Sequence, residues 1–181
     1  MAVPEPFTGV TTTSPVRHHI LSVLVENKAG VLARISGLFA RRGFNIYSLA
    51  VAPADDSQRF SRITIVVDAQ SAPLEQIKGQ LHKLINVVEI KDLAPREALE
   101  RELLLATVVV DETTRPAVLE AVAQANAAIV DVSETAVTLM LAGTPIACDA
   151  LERRLEAFTE IELHRTGRVA LPRLSSETTR N

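Results

Sequence analysis

The chain has 181 residues, 47% hydrophobic and 23% charged, with a formal net charge of −3, a balance that offers nucleic acid or an anionic membrane no net electrostatic attraction. Aromatic residues make up 3% (five Phe, one Tyr, no Trp), too few for the stacking platforms that hold bases or sugars. The single cysteine, Cys148, excludes an internal disulfide and fits a reducing, cytoplasmic compartment; no apolar run approaches the roughly 20 residues that span a bilayer, and MAVPEPFTGVTTTSPV lacks the basic start and apolar core of a secretory signal.

Residues 1–17, rich in Thr, Pro and Ser, read as a flexible arm. His19 to Val25 has the length and β-branched content of a strand, which Asn27-Lys28-Ala29-Gly30 breaks. Val31, Leu32, Ile35, Leu38 and Phe39 then recur at helical spacing, with Arg34, Ser36, Arg41 and Arg42 opposite and Gly43 where a C-cap belongs. Asn45 to Val51 predicts a second strand, residues 53–57 a turn, and Phe60 to Val67 a third strand. Pro73 opens a helix with Leu74, Ile77, Leu81, Leu84 and Ile85 on one stripe, and Val87 to Ile90 makes a fourth strand. The order is βαββαβ, the ferredoxin-like unit.

Asp92 to Glu100, charged and containing Pro95, reads as linker. A second unit follows: strand Leu103 to Val110, a helix from Pro116 to about Asn126 with Val118, Leu119 and Val122 inward, strands Ala128 to Val132 and Thr135 to Leu141, helix Ile146 to Phe158, and strand Ile161 to Arg165. Gly167 to Leu171 adds a short strand before the polar tail. The fold class is α+β, two consecutive ferredoxin-like domains. The boundaries are 18–92 and 99–173, with a linker at 93–98 and a flexible tail at 174–181.

Catalytic signatures are missing. Adjacent His18 and His19 on a strand face opposite ways and cannot chelate together, and there is no GxxxxGK, GxSxG or HExxH motif. Cys148 lies in an apolar helix without a CxxC partner and reads as a buried thiol. The arginines of the first helix read as a solvated face, since an RNA-binding sheet needs aromatics on its central strands. The loop Asn27–Gly30 admits two readings. Asn and Gly satisfy a tight turn. Equally, a helix N-terminus offers unpaired N–H groups to a carboxylate, glycine allows close approach, and an asparagine supplies an acceptor for an ammonium group. An amino acid carries both charges.

ILSVLVENKAGVLARISGLFARRGFNIYSLAVAP (residues 20–53) resembles the N-terminal ACT domain of the small, regulatory subunits of acetolactate synthase (acetohydroxyacid synthase). SRITIVV (61–67), PLEQIKGQLHKLINVVEI (73–90), REL (101–103), IVDV (129–132) and TGRVALPR (166–173) extend the resemblance to about residue 173. It implies a non-catalytic subunit with no cofactor of its own. Such a chain activates a large catalytic subunit carrying thiamine diphosphate, Mg and FAD, and confers feedback inhibition by valine or a related branched-chain amino acid. It also implies that ACT domains pair as a homodimer with the effector at their interface. Asn27, Gly30, Val31 and Leu32 match the family's loop and helix start, and Asn45 and Ile46 match the residues facing across the dimer. The second domain is expected to contribute to activation. A free-standing amino-acid-binding ACT module that regulates another enzyme, and a small ferredoxin-like enzyme, are the competing readings.

Overall fold

The computed structural model describes residues 18–68, 74–94, 97–158 and 161–174. The expected N-terminal arm, Pro73, Pro95 and all of the tail but Leu174 lie outside the described residues. The first half runs β1 (His18–Glu26), α1 (Val31–Arg42), β2 (Ile46–Pro53), β3 (Phe60–Asp68), α2 (Leu74–Leu81) and β4 (Val87–Leu93). The second runs β5 (Ala98–Val109), α3 (Arg115–Gln124), β6 (Ala128–Val132), β7 (Ala136–Gly143), α4 (Pro145–Glu156), β8 (Ile161–Arg165) and β9 (Val169–Pro172). Both sheets are antiparallel and share one order, β2-β3-β1-β4 and β6-β7-β5-β8, with β9 added to β5. The expected pair of ferredoxin-like units is present. Among the described residues no helix is long and apolar enough to cross a membrane.

Alternation along the strands decides what each face meets. In the first sheet Leu21, Val23, Val25, Ile63, Ile65 and Val67 pack against Val31, Ile35, Leu38, Phe39, Ile77 and Leu81 of the two helices. Burying each such side chain contributes roughly 1.5–3 kcal/mol. Helix α1 ends in the way its sequence demands. The Gly43 N–H donates to the Ala40 carbonyl (3.2 Å) and the Phe44 N–H to that of Phe39 (3.0 Å), while the Phe39 and Phe44 rings meet edge to face at 6.1 Å. This is the closure, with its apolar clasp, of a Schellman motif. The second core is built likewise from Leu104, Ala106, Val108, Val137, Leu139 and Leu141 under Val118, Val122, Cys148, Leu151 and Leu155.

Part of the face of the first sheet away from its helices is covered by the second half. Ile20, Val66 and Leu93 form a small core with Ala98 at the start of β5 and Ala170 in β9. Strand β5 is twelve residues long because it serves two partners: Ala98–Arg101 pairs with β9, and Glu102–Val109 with β7. The expected linker is correspondingly shorter, since β4 continues through Leu93 and β5 begins at Ala98.

Four side-chain expectations need correction. Helix α2 stops at Leu81; tight turns follow, with the Leu84 N–H bonded to the Leu81 carbonyl and the Val87 N–H to that of Leu84. The changed winding keeps Leu84 against the core but turns Ile85 to solvent, 90% exposed. Leu32 and Leu119 are also exposed, because 3.6-residue winding carries them past the edge of the apolar stripe, and Ala121 occupies the place expected of Leu119. The α1 arginines are not uniformly solvated: Arg34 donates to Asn86 Oδ1 (3.0 Å) and Arg42 to Gln80 Oε1 (3.1 Å). Strand β6, at the outer edge of the second sheet, is exposed along its whole length, with its register to β7 shifting between Ile129 and Asp131.

One charge cluster supports the second domain. Glu102 is buried and accepts two hydrogen bonds from Arg165 (2.7 and 2.8 Å), whose other nitrogen reaches Asp149 (2.6 Å) and Glu152 (2.9 Å). Glu102 foremost, and then Asp149, push the guanidinium's affinity for its proton further up, against the opposing effect of burial. Arg165→Met keeps the bulk but strands a buried carboxylate beside two others, a loss expected to cost about 3 kcal/mol. Equilibrium urea unfolding, read at the second domain, measures it.

Candidate functional site

The loop between β1 and α1 is held from two sides. The Asn27 N–H donates to the Arg59 carbonyl (2.8 Å) and its Nδ2 to that of Gln58 (2.8 Å), tying the loop to the β2–β3 turn. Asn27 Oδ1, the acceptor, has no donor among the described residues. Below the loop, buried Asn86 accepts from Arg34 and donates through Nδ2 to Glu26 Oε2 (2.6 Å), to which Lys28 Nζ also donates (3.0 Å). The bond from Lys28, then that from Asn86, holds the Glu26 carboxyl below its usual range, so it stays ionised. Glu26 and Asn86 were not recognised in the sequence. Their signal, an asparagine between apolar residues at the head of β4, is a faint one.

Gly30 caps α1 at φ 84°, the left-handed region where a side chain is strained, and a Cβ there would meet open space. No side chain caps the helix and its first turn contains no acid. The Val31 N–H is bonded to the Lys28 carbonyl (3.2 Å), whereas those of Leu32 and Ala33 are not bonded to the turn. Two donors therefore stand at a positive helix end beside Lys28 and Arg34, an arrangement suited to an anion. The Val31 side chain is buried in the core, and Leu32 is exposed at the mouth.

Asn45 and Ile46 are elsewhere. Asn45 is exposed just before β2, and Ile46 is half-buried against the first core. They follow the C-terminus of α1, and its 12 residues separate them from Gly30 by about 18 Å at the usual rise. Within one chain, the structure groups Asn27, Gly30, Val31 and Leu32 and leaves Asn45 and Ile46 at the other end of the helix.

Two further depressions mark the junction of the halves. One, of about 400 Å³ and mostly apolar, is lined by β2, β3, β5 and β9 residues including Val51, Leu99 and Leu171. The other, of about 350 Å³, lies between Tyr47, Ser48, Arg165 and Gly167. Beside them the Tyr47 ring carries the His18 ring at 4.1 Å and the Arg168 guanidinium at 5.0 Å.

Fold and loop together define a class: paired ferredoxin-like units, the first of ACT type, with an open, positively polarised helix start. The comparisons narrow it. Residues 21–89 match the family described as AHAS small subunit-like ACT domain, and residues 101–174 the small subunit of acetolactate synthase. The chain belongs to the acetolactate synthase small-subunit family. It is 49% identical over 155 residues to the acetolactate synthase small subunit of Mycolicibacterium smegmatis, covering 86% of this chain and 91% of that protein. It is 42% identical over 163 residues to chloroplastic small subunit 2 of Arabidopsis thaliana, covering 90% of this chain and 34% of that one. The crystal structure of the small subunit from Thermotoga maritima superposes with a TM-score of 0.78 at 35% identity, covering 87% of this chain and 98% of that chain. This membership supports a regulatory role.

Two outcomes follow from the geometry. Asn86→Ala removes the buried amide that bridges Arg34 and Glu26, at an expected cost of about 1–3 kcal/mol; hydrogen exchange should show the 26–30 loop opening before the rest of β1. His18 resists protonation, through burial first and then Arg168, against smaller opposing effects of Asp68 and Glu100. The unfolded chain then takes the proton more readily, so this contribution to stability is complete above pH 6.5, the ordinary histidine value, and declines as pH falls below it. Unfolding measured between pH 8 and about pH 5 should lose part of its pH dependence in His18→Asn.

Proposed function

We propose that this chain is the non-catalytic, cytoplasmic regulatory subunit of acetolactate synthase in branched-chain amino acid biosynthesis. It activates a catalytic subunit that carries thiamine diphosphate, Mg and FAD, and confers feedback inhibition by valine or a related amino acid. The observation that carries this reading is similarity to one family across both halves, 21–89 and 101–174. The loop adds its chemistry. The effector's carboxylate sits on the N–H groups opening α1, its ammonium group on Asn27 Oδ1, and its branched side chain against Leu32.

Because Asn45 and Ile46 lie a helix length from Gly30, they join the site only from a second copy. The chain therefore acts as a homodimer through its first domain, each site combining the loop of one copy with the start of β2 of the other. Closed twofold pairing is the commonest way to complete such a surface.

Gly30→Asp tests the site. The left-handed backbone costs an aspartate about 1 kcal/mol, so the variant folds. A carboxylate about 4 Å from that of the effector opposes binding by roughly 4 kcal/mol at an effective dielectric near 20, which removes micromolar binding. Asn27→Ala weakens binding by about 1.5–3 kcal/mol. Both should still activate the catalytic subunit, and the pure chain should turn over no pyruvate by itself. Calorimetry with valine and an activity titration give the result; wild-type inhibition of a folded Gly30→Asp chain removes the loop from the site. Mixing Gly30→Asp with Asn45→Ala checks the sharing, since each mixed dimer regains one intact site. Valine binding that stays absent after mixing contradicts a site shared between copies.

A further inference from the structure

Beside the small core that the two halves share, β2 meets the loop between β8 and β9 in close contact. We propose that this contact couples the effector site to the second domain, with Ser48, Gly167 and Arg168 as its positioning residues; the inference rests on the effector site proposed above. Asn45 and Ile46 stand at the head of β2, and the register of β2 with β3 shifts between Ile46 and Ser48, leaving Tyr47 as a bulge. Such a bulge re-aims one side chain, and here the Tyr47 ring lies beneath the Arg168 guanidinium. At the next residue Ser48 Oγ accepts the Arg168 N–H at 2.9 Å. Gly167 has φ +79°, and a Cβ on it would lie 2.6 Å from Ser48 Oγ and 3.5 Å from the Leu49 carbonyl oxygen. The main chain of the second domain thus rests on β2 with no room for a methyl group.

Thr166 and Arg168, on either side of Gly167, grip β5 from the other side. The Thr166 N–H donates to the Leu103 carbonyl (3.1 Å), the Leu103 N–H to Thr166 Oγ1 (3.1 Å), and Arg168 pairs with Glu100 (3.3 Å). Arg168 and Glu100 are largely shielded from water, their side chains 11% and 21% exposed. An effector held by Asn45 and Ile46 bears on the head of β2. With contact already closed at Gly167, a shift of that strand passes through residues 166–168 into β5, a central strand of the second sheet. A segment that merely glued the halves together would affect stability and leave the response to effector unchanged.

The test uses the full-length chain, alone and with its cognate catalytic subunit, and three readouts: calorimetry with valine, inhibition of the assembled enzyme, and valine-dependent hydrogen exchange along Ala98–Val109. The variants are Ser48→Ala, Arg168→Ala, Gly167→Ala and the double Ser48→Ala/Gly167→Ala. Valine should bind the isolated Ser48→Ala and Arg168→Ala chains within about threefold of the parent, while half-inhibition needs roughly tenfold more valine and the added protection in β5 disappears. The double variant should respond to valine as Ser48→Ala does, because the atom that Gly167→Ala strikes is gone, while the left-handed backbone at residue 167 leaves it less stable than Ser48→Ala. Folded Ser48→Ala and Arg168→Ala chains that bind valine and keep parental inhibition and β5 protection overturn the coupling alone. A parent chain that binds no branched-chain amino acid overturns the effector site and this inference with it.

Discussion

A four-stranded sheet with both helices on one side leaves its other side to be covered, and in this chain that side carries Ile20 and Val66, both fully buried. Much of the arrangement follows from this constraint. Covering them takes Ala98 and Ala170, small residues that let two backbones approach, and it takes a β5 long enough to reach across. The pairing of β9 with the first four residues of β5 satisfies their main-chain groups at the place where the halves meet. The two domains are consequently continuous in packing as well as in sequence. Cutting between them leaves an apolar sheet face without its cover, and so does more than remove a module.

The loop site depends on a different balance. A helix start with no capping side chain and no acid in its first turn forgoes a stabilising interaction found at most helix ends. Rigidity comes instead from below and beside it, through Asn86 and the β2–β3 turn. The donors are thus presented in a fixed place without being satisfied by the chain itself. That combination suits a position filled from outside, since a mobile loop would spend binding energy on its own ordering.

Both βαββαβ units were legible in the sequence because helix and strand periods are properties of neighbouring residues. The short strand expected at Gly167 to Leu171 was legible for the same reason, though the fold places it at Val169–Pro172, after a left-handed Gly167. What misled was local: Leu84 and Ile85 continue the helical stripe of Leu74, Ile77 and Leu81, yet the backbone changes winding after Leu81, and no residue there announces it. Of the site, Asn27 and Gly30 stood out because their types are uncommon inside secondary structure. Asn86 did not, because its importance lies in two partners 52 and 60 residues away. Ser48 and Arg168 were hidden similarly, by a contact between residues 120 apart. TGRVALPR was visible as a signature, but only the fold shows what it touches.

Strand β6 has a consequence of another kind. Ile129, Val130 and Val132 are about half exposed on a strand whose outer edge offers unpaired main-chain groups, the combination that recruits a neighbouring molecule into a growing sheet. Asp131 sits in the middle of this run, and the register shift beside it puts a kink in the edge. A charge that stacking would have to bury, on a bent backbone, makes a poor template for a further strand. This one carboxylate therefore acts as a guard against clumping at high concentration, a role unrelated to effector binding, and any exchange for an apolar residue there would show itself in the chain's solubility before its regulation.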